Sequence, residues 1–563
     1  MALIPLDIPP GFQANVTPYQ AKNRWVNGNL VRFYEGRIRP IGGWTRLSDD
    51  RLEDGSNALD PARGMHSFRL SSGIRRLIIG TTTKLYKWDG GDNLVDISPT
   101  TITQTSSTIS GLGYGTLEYG GDVGVNGGST VGGGTWGTPR EVVVEGSEDV
   151  ANEIFVPVWH IDNLGDVMLA CGSGDGKIYR WLDSAEGSPN PSTDPPRSTV
   201  LTNAPTGNVG VIVTPERHIM CLAPGGDTRK IQWASQGTLT EWSPTVTNTA
   251  RSITLQTRGE IITARKSRYG TLVFCSDSVY RLNYVGPPYV YSVERLTEGA
   301  NPLGAKAVAG SADILAWMSN GRFWTYQGGY IKEVQCSVSD HVFRDINTEL
   351  AGLIVAYHNA DFGEIWWSYP VSGSTTQTRY VVWSYKENHW TYGELERTAW
   401  EDQGTFGYPI GAGADGYLYR HEMQLDPNTD LDRGSGLTIP TTVTELSSNT
   451  RSLARNAETV TDSEHLCFAE TGAIELGQGG RLMSVRQILT DTDAGTNGLR
   501  LKYDTAFTPD SSDTTRGPFS LNADGYTDVR FTARQIKFRV ESPFDTDWRL
   551  GDLRIDAVGA GKR

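Results

Sequence analysis

The stretch Asp166-Val-Met-Leu-Ala-Cys-Gly-Ser-Gly-Asp-Gly-Lys-Ile-Tyr-Arg-Trp181 sets an apolar run, a knot of glycines and an alternating run side by side. Two readings compete for Gly172 to Lys177. A phosphate-binding loop needs Gly-x-x-x-x-Gly-Lys, then Ser or Thr, then a helix whose N-terminus faces the phosphate. Here Ile178 follows Lys177, so the metal-binding hydroxyl is missing, and Lys-Ile-Tyr-Arg-Trp alternates among β-formers. Asp175-Gly176 is also a hairpin-turn pair. The segment is predicted to be a turn between two strands.

The same layout returns along the chain. It is found at Leu77–Trp88, Leu272–Leu282, Leu315–Tyr326 and Ile410–Arg420, with looser copies at Ile219–Trp233 and around Val381–Tyr385. Each joins a mostly apolar strand through small residues to a strand centred on an aromatic. Apart from one insertion, the copies lie roughly 35 to 60 residues apart, which brackets the period of propeller blades. A blade is a radial four-stranded sheet whose middle strands carry the bulk that fills the space between blades. A plain sandwich gives alternating strands but has no need of one hairpin about seven times. The predicted fold is therefore all-β: a β-propeller of about seven blades over 63–423.

The flanks read differently. Residues 1–62 form a Pro-punctuated arm with short strands at Leu30–Tyr34 and Arg37–Ile41 about the Glu35-Gly36 turn, expected to pack with the C-terminal domain. Residues 424–436 read as a linker. In 437–563 the aromatic hairpin disappears. Longer alternating strands take over at Arg481–Leu489, Leu499–Tyr503, Val529–Thr532, Gln535–Val540 and Trp548–Asp556, a β-sandwich pattern. Within the propeller, Gly111–Gly137 carries glycine at nearly every second place, with spaced Tyr and Trp. It reads either as a projecting ribbon that docks on a neighbour or as an exposed loop without a partner.

Composition sets limits. The chain has 563 residues, too many for one core, and its 65 glycines, 16 tryptophans and 23 tyrosines suit a turn-dense, aromatic-packed β protein. No segment approaches the ~20 apolar residues of a membrane helix, and the N-terminus lacks a signal-peptide pattern. Five dispersed cysteines, an odd count, point to buried thiols and to folding in the cytoplasm. The formal net charge of −14 argues against a dedicated nucleic-acid binder but leaves room for DNA sliding past a weakly binding wall.

Four places resemble the tail tube or nozzle proteins of short-tailed bacteriophages. They are Trp25-Val-Asn-Gly-Asn-Leu-Val-Arg-Phe33 with Gly42-Gly-Trp44; the Tyr-Gly insertion followed by Thr135-Trp-Gly-Thr-Pro-Arg140 and Trp159; Arg229-Lys-Ile-Gln-Trp-Ala-Ser235 with Trp242; and Glu470–Gly479 with Asp547-Trp-Arg-Leu-Gly-Asp-Leu-Arg554. The resemblance implies a propeller joined to a platform-like β domain. It also implies a hexameric ring below portal and adaptor, contacts with the tail adaptor and with fibre or tailspike proteins, and transient passage of double-stranded DNA. The location so implied is the virion tail, assembled in the bacterial cytoplasm. The family brings no catalytic residues, so no catalytic, cofactor or metal residues are expected.

The rival classes are a receptor- or carbohydrate-binding propeller and a glycan-cleaving one. A glycosidase needs two carboxylates across a pocket, or a tyrosine nucleophile backed by an acid. The carboxylates Asp89, Asp175, Asp361, Glu364 and Asp415 read as turn formers. Ser173-Gly-Asp-Gly-Lys177 misses the glycine of the sialidase Asp-box. The eight histidines show no metal-ligand spacing, and His160, His218 and His358 are expected to pack or hydrogen-bond at strand ends. Asp491-Thr-Asp-Ala-Gly-Thr-Asn497 begins like a calcium loop but lacks its final glutamate.

Overall fold

The structure, a computed structural model, describes residues 3–17, 20–91, 93–100, 156–183, 196–423, 467–475, 482–494, 498–507, 514–521, 524–542 and 547–561. The glycine-rich insertion, the linker and the end of the Asp491–Asn497 segment lie outside these. Seven four-stranded antiparallel sheets follow one another and form the blades of a propeller. Blade 1 begins at Ala62–Arg69, blade 2 at Trp159–Leu164, blade 3 at Gly210–Val213 and blade 4 at Ile261–Ser267. Blades 5, 6 and 7 begin at Val308–Gly310, Val355–Asn359 and Arg397–Glu401. Consecutive first strands lie against one another, so they line the axis.

The repeated hairpin is the second and third strand of six blades, while in blade 6 the looser copy around Val381–Tyr385 falls on the third strand, Arg379–Ser384. In blade 2, Val167–Gly172 pairs with Ile178–Trp181 through the Gly172–Lys177 turn. Lys177 N–H donates to the Asp175 carboxylate at 3.0 Å, and Gly176 takes φ +64°. A side chain at Gly176 would sit 2.7 Å from the backbone of Gly207 and Asn208, so both conformation and space demand glycine. Blade 7 repeats the device: Asp415 accepts from Tyr417 N–H at 3.2 Å and from the Tyr419 hydroxyl at 2.7 Å. Aromatic bulk fills the gaps between blades. Trp159, Tyr179 and Trp181 of blade 2 pack on Phe68, Ile78 and Leu85 of blade 1. Phe274 meets Trp317 across blades 4 and 5 at 5.0 Å, edge to face.

The N-terminal arm is divided between both parts of the molecule. Gly43–Arg46 is the outermost strand of blade 7, beside Leu418–Met423, so the ring is closed by strands from opposite ends of the propeller segment. The propeller therefore draws on residues before 62, since a ring of sheets leaves an unpaired edge wherever the chain enters unless a distant strand covers it.

The rest of the arm enters two six-stranded sheets. One contains Val31–Tyr34, Arg37–Pro40, Leu550–Gly559, Met483–Thr492 and Tyr526–Ala533, with Ile4–Leu6 also on Leu550–Gly559. The other contains Trp25–Asn29, Cys467–Thr471, Gln535–Ser542, Arg500–Ala506 and Thr514–Ser520, with Ile474–Glu475 on Gln535–Ser542. Val485, Ile488 and Ile555 of the first and Leu501, Phe538 and Val540 of the second are buried in one apolar cluster. That cluster runs on without a break into blades 5 and 6. Phe12 lies edge-on to Phe33 at 5.6 Å and to Tyr392 of blade 6 at 5.2 Å. Trp548 is fully buried in the same cluster.

Candidate functional site

The first strand of a blade has one face toward the axis, and polar residues placed there converge whatever their distance in sequence. On this axis lies a cavity of about 330 Å³, to which all seven blades contribute. Its wall holds His66, His160, Asp162, Arg265, Lys266, Lys306, Glu401 and Asp402 beside Tyr357 and Trp400. None was singled out as a site residue by sequence, where His160 was expected only to pack or hydrogen-bond. The hairpin motif draws attention to the second and third strands, whereas the charges stand on the first. A charge within the strand before the hairpin was the available signal in blades 2, 4 and 7, at Asp162, Arg265, Lys266 and Glu401.

The carboxylates are already supplied with donors. Asp162 is 2.7 Å from the Lys266 ammonium and accepts from Val213 N–H at 2.8 Å. Glu401 accepts from the backbone and hydroxyl of Ser67 at 2.8 and 2.7 Å. Asp402 accepts from His358 N–H at 2.9 Å, and burial, reinforced by the neighbouring Glu401, pushes its carboxyl up to about 7. The cationic side differs. Arg265 donates to the carbonyls of Val308, Ala264 and Ala305. Burial pulls Lys306 down to about 7, with Arg265 repelling its charge and only the field of Glu401 opposing. Lys306 and Arg265 keep partial accessibility because they face the cavity. His160 is 4% exposed, and burial holds it well below the ordinary histidine range.

The turn carboxylates fall into two groups. Asp175 and Asp415 hold their hairpins, and Asp361 accepts from Gln403 at 2.9 Å on the surface. Glu364 departs from expectation. It opens the buried strand Glu364–Tyr369 and lies 3.1 Å from the Arg32 guanidinium, which also makes a bidentate pair with Glu422. This cluster ties the arm to blades 6 and 7, since an isolated buried carboxylate is costly unless paired. His218 bonds Tyr291 and Thr249 at 3.1 and 3.2 Å, and His358 bonds the Tyr385 hydroxyl at 3.1 Å. None of the five cysteines forms a disulfide among the described residues, and four are buried. Among the described residues no group of His, Cys, Asp and Glu is placed to hold a metal ion, and no helix is long and apolar enough to cross a membrane.

No protein-family model matches the chain, and no curated protein matches it. Among solved structures, BBS1N, determined in complex with ARL6DN, is similar at 11% identity and a TM-score of 0.35, covering 70% of this chain and all of that one.

Proposed function

We propose that the chain is a structural subunit of a short phage tail, the nozzle through which the genome leaves, acting without catalysis. The observation that carries this reading is the threading of the N-terminal arm. One segment supplies strands to both sheets of the sandwich and closes blade 7, so propeller and sandwich are joined by one arm and one core. A wall that holds DNA under pressure needs such stiffness, and a ring of copies needs fixed faces for heterologous contact. The conduit belongs to the ring of subunits. The major groove of duplex DNA alone is about 12 Å wide, so the cavity on the propeller axis admits no duplex. The net charge of −14 suits a wall that lets DNA pass without holding it.

A second reading has one observation in its favour. Tyr289 and Tyr330 are 79% and 78% exposed at the outer strands of blades 4 and 5, with Tyr269 and Tyr284 also exposed. Tyrosines of this kind serve stacking on a sugar as well as they serve a subunit interface. Electron microscopy of the purified protein mixed with a portal–adaptor complex separates the two. Rings of six capping the complex support the nozzle. Single particles that retain a host glycan support the binding propeller, and turnover of a polysaccharide would overturn both.

A further inference from the structure

We propose that the axial cavity is an anion site, in which Lys306, flanked by Arg265 and His160, takes a small tetrahedral oxyanion of the phosphate or sulfate type. A buried polar group without a partner calls for an ordered water or ion. Asp162, Glu401 and Asp402 each accept at least one hydrogen bond already. Among the described residues the Lys306 ammonium makes no hydrogen bond or ion pair, so three donors face the cavity unanswered. His160 Nε2 is buried and likewise has no partner among them. What Lys306 lacks is an acceptor, and a single tetrahedral oxyanion supplies several.

Lys306 precedes the first strand of blade 5 and His160 is the second residue of Trp159–Leu164. Asp162 and Glu401 are bonded to the end of blade 3's first strand and to blade 1's Ser67, while the fields of Asp162 and Asp402 reach Arg265 and that of Glu401 reaches Lys306. Arg265 reaches back to Ala305 and Val308, beside Lys306. The cavity of about 330 Å³ is at the lower end of small-ligand sites, enough for a hydrated oxyanion or a small phosphate monoester and far too small for a polymer. Bound there, the ion links blades 2, 4 and 5 across the axis. The groups facing it are His160 and Asp162 from blade 2, Arg265 and Lys266 from blade 4, His66, Tyr357, Glu401 and Asp402. For sulfate, which keeps its charge across this range, protonation of Lys306 below about 7 makes binding stronger at pH 6 than at pH 8.

Isothermal titration of the full-length protein with inorganic phosphate at pH 6 and constant ionic strength tests this. A saturable single-site isotherm is expected, weakened about tenfold or more in Lys306→Met and unchanged in Lys332→Met, on the exposed outer strand of blade 5. Lys306→Met removes a buried unpaired charge, so the variant folds at least as well, as its melting curve reports. A parallel titration with glycerol phosphate tells a free ion from a phosphoryl group on a small molecule. Absence of saturation below about 10 mM phosphate, or equal binding by Lys306→Met, overturns the proposal.

Discussion

Asp402 and Lys306 carry opposite penalties on the same axis, which makes the cavity legible in a pH profile. Between 3.8 and about 7 the folded protein keeps the Asp402 proton that the unfolded chain has lost, so this group makes stability fall as pH rises. Between about 7 and 10.5 the unfolded chain keeps the Lys306 proton that the folded protein has shed, so this group makes stability rise with pH. Urea unfolding of the wild type, measured from pH 4 to 10 and compared with two variants, isolates the terms. Asp402→Asn is expected to remove a fall below neutrality, and Lys306→Met a rise above it. Differences confined to neither window would place these side chains in water. Arg32 obeys the converse rule. The fields of its two carboxylate partners outweigh burial and raise its pKa, so they hold its charge firmly.

At the scale of the element, the closing strand Gly43–Arg46 is short, and side chains must secure what few hydrogen bonds cannot. Trp44 is 1% exposed and belongs to the large core cluster, with the Arg397 guanidinium 5.2 Å from its ring. Trp44→Ala is expected to cost about 3–5 kcal/mol of stability, since it opens a cavity where the ring is joined. Chemical denaturation read by far-ultraviolet dichroism gives the value. A loss below about 1 kcal/mol would show that the strand pairing alone holds the seam. The hairpin between the second and third strands of blade 7 needs no such anchor, because its register is set locally by the Asp415-Gly416 turn.

For the whole molecule, the arm acts as a single fastening. It contributes strands to both six-stranded sheets and to blade 7, and Phe12, Trp25 and Phe33 join the core they share. Removing residues 1–46 leaves blade 7 with three strands and bares an edge open to pairing with other chains. The truncated protein is expected to aggregate, or to elute as an expanded species in size-exclusion chromatography with much weaker near-ultraviolet dichroism. A compact monomer melting within about 3 °C of the full chain would mean that propeller and sandwich stand independently.

The blade hairpins were legible because their information is local: alternation, a turn residue at a fixed offset and an aromatic on the returning strand lie within sixteen residues at Asp166–Trp181. The alternating strands near 485, 501, 531 and 537 were legible for the same reason. Tertiary structure alone decided that Gly43–Arg46 closes blade 7, that Glu364 meets Arg32 and that Lys306, Arg265 and Asp402 share one cavity. These partners lie far apart in sequence, and each is short and unremarked by any motif. Their meeting depends on how a chain turns about an axis, which fixes neighbours by angle and radius and leaves no periodic trace along the sequence.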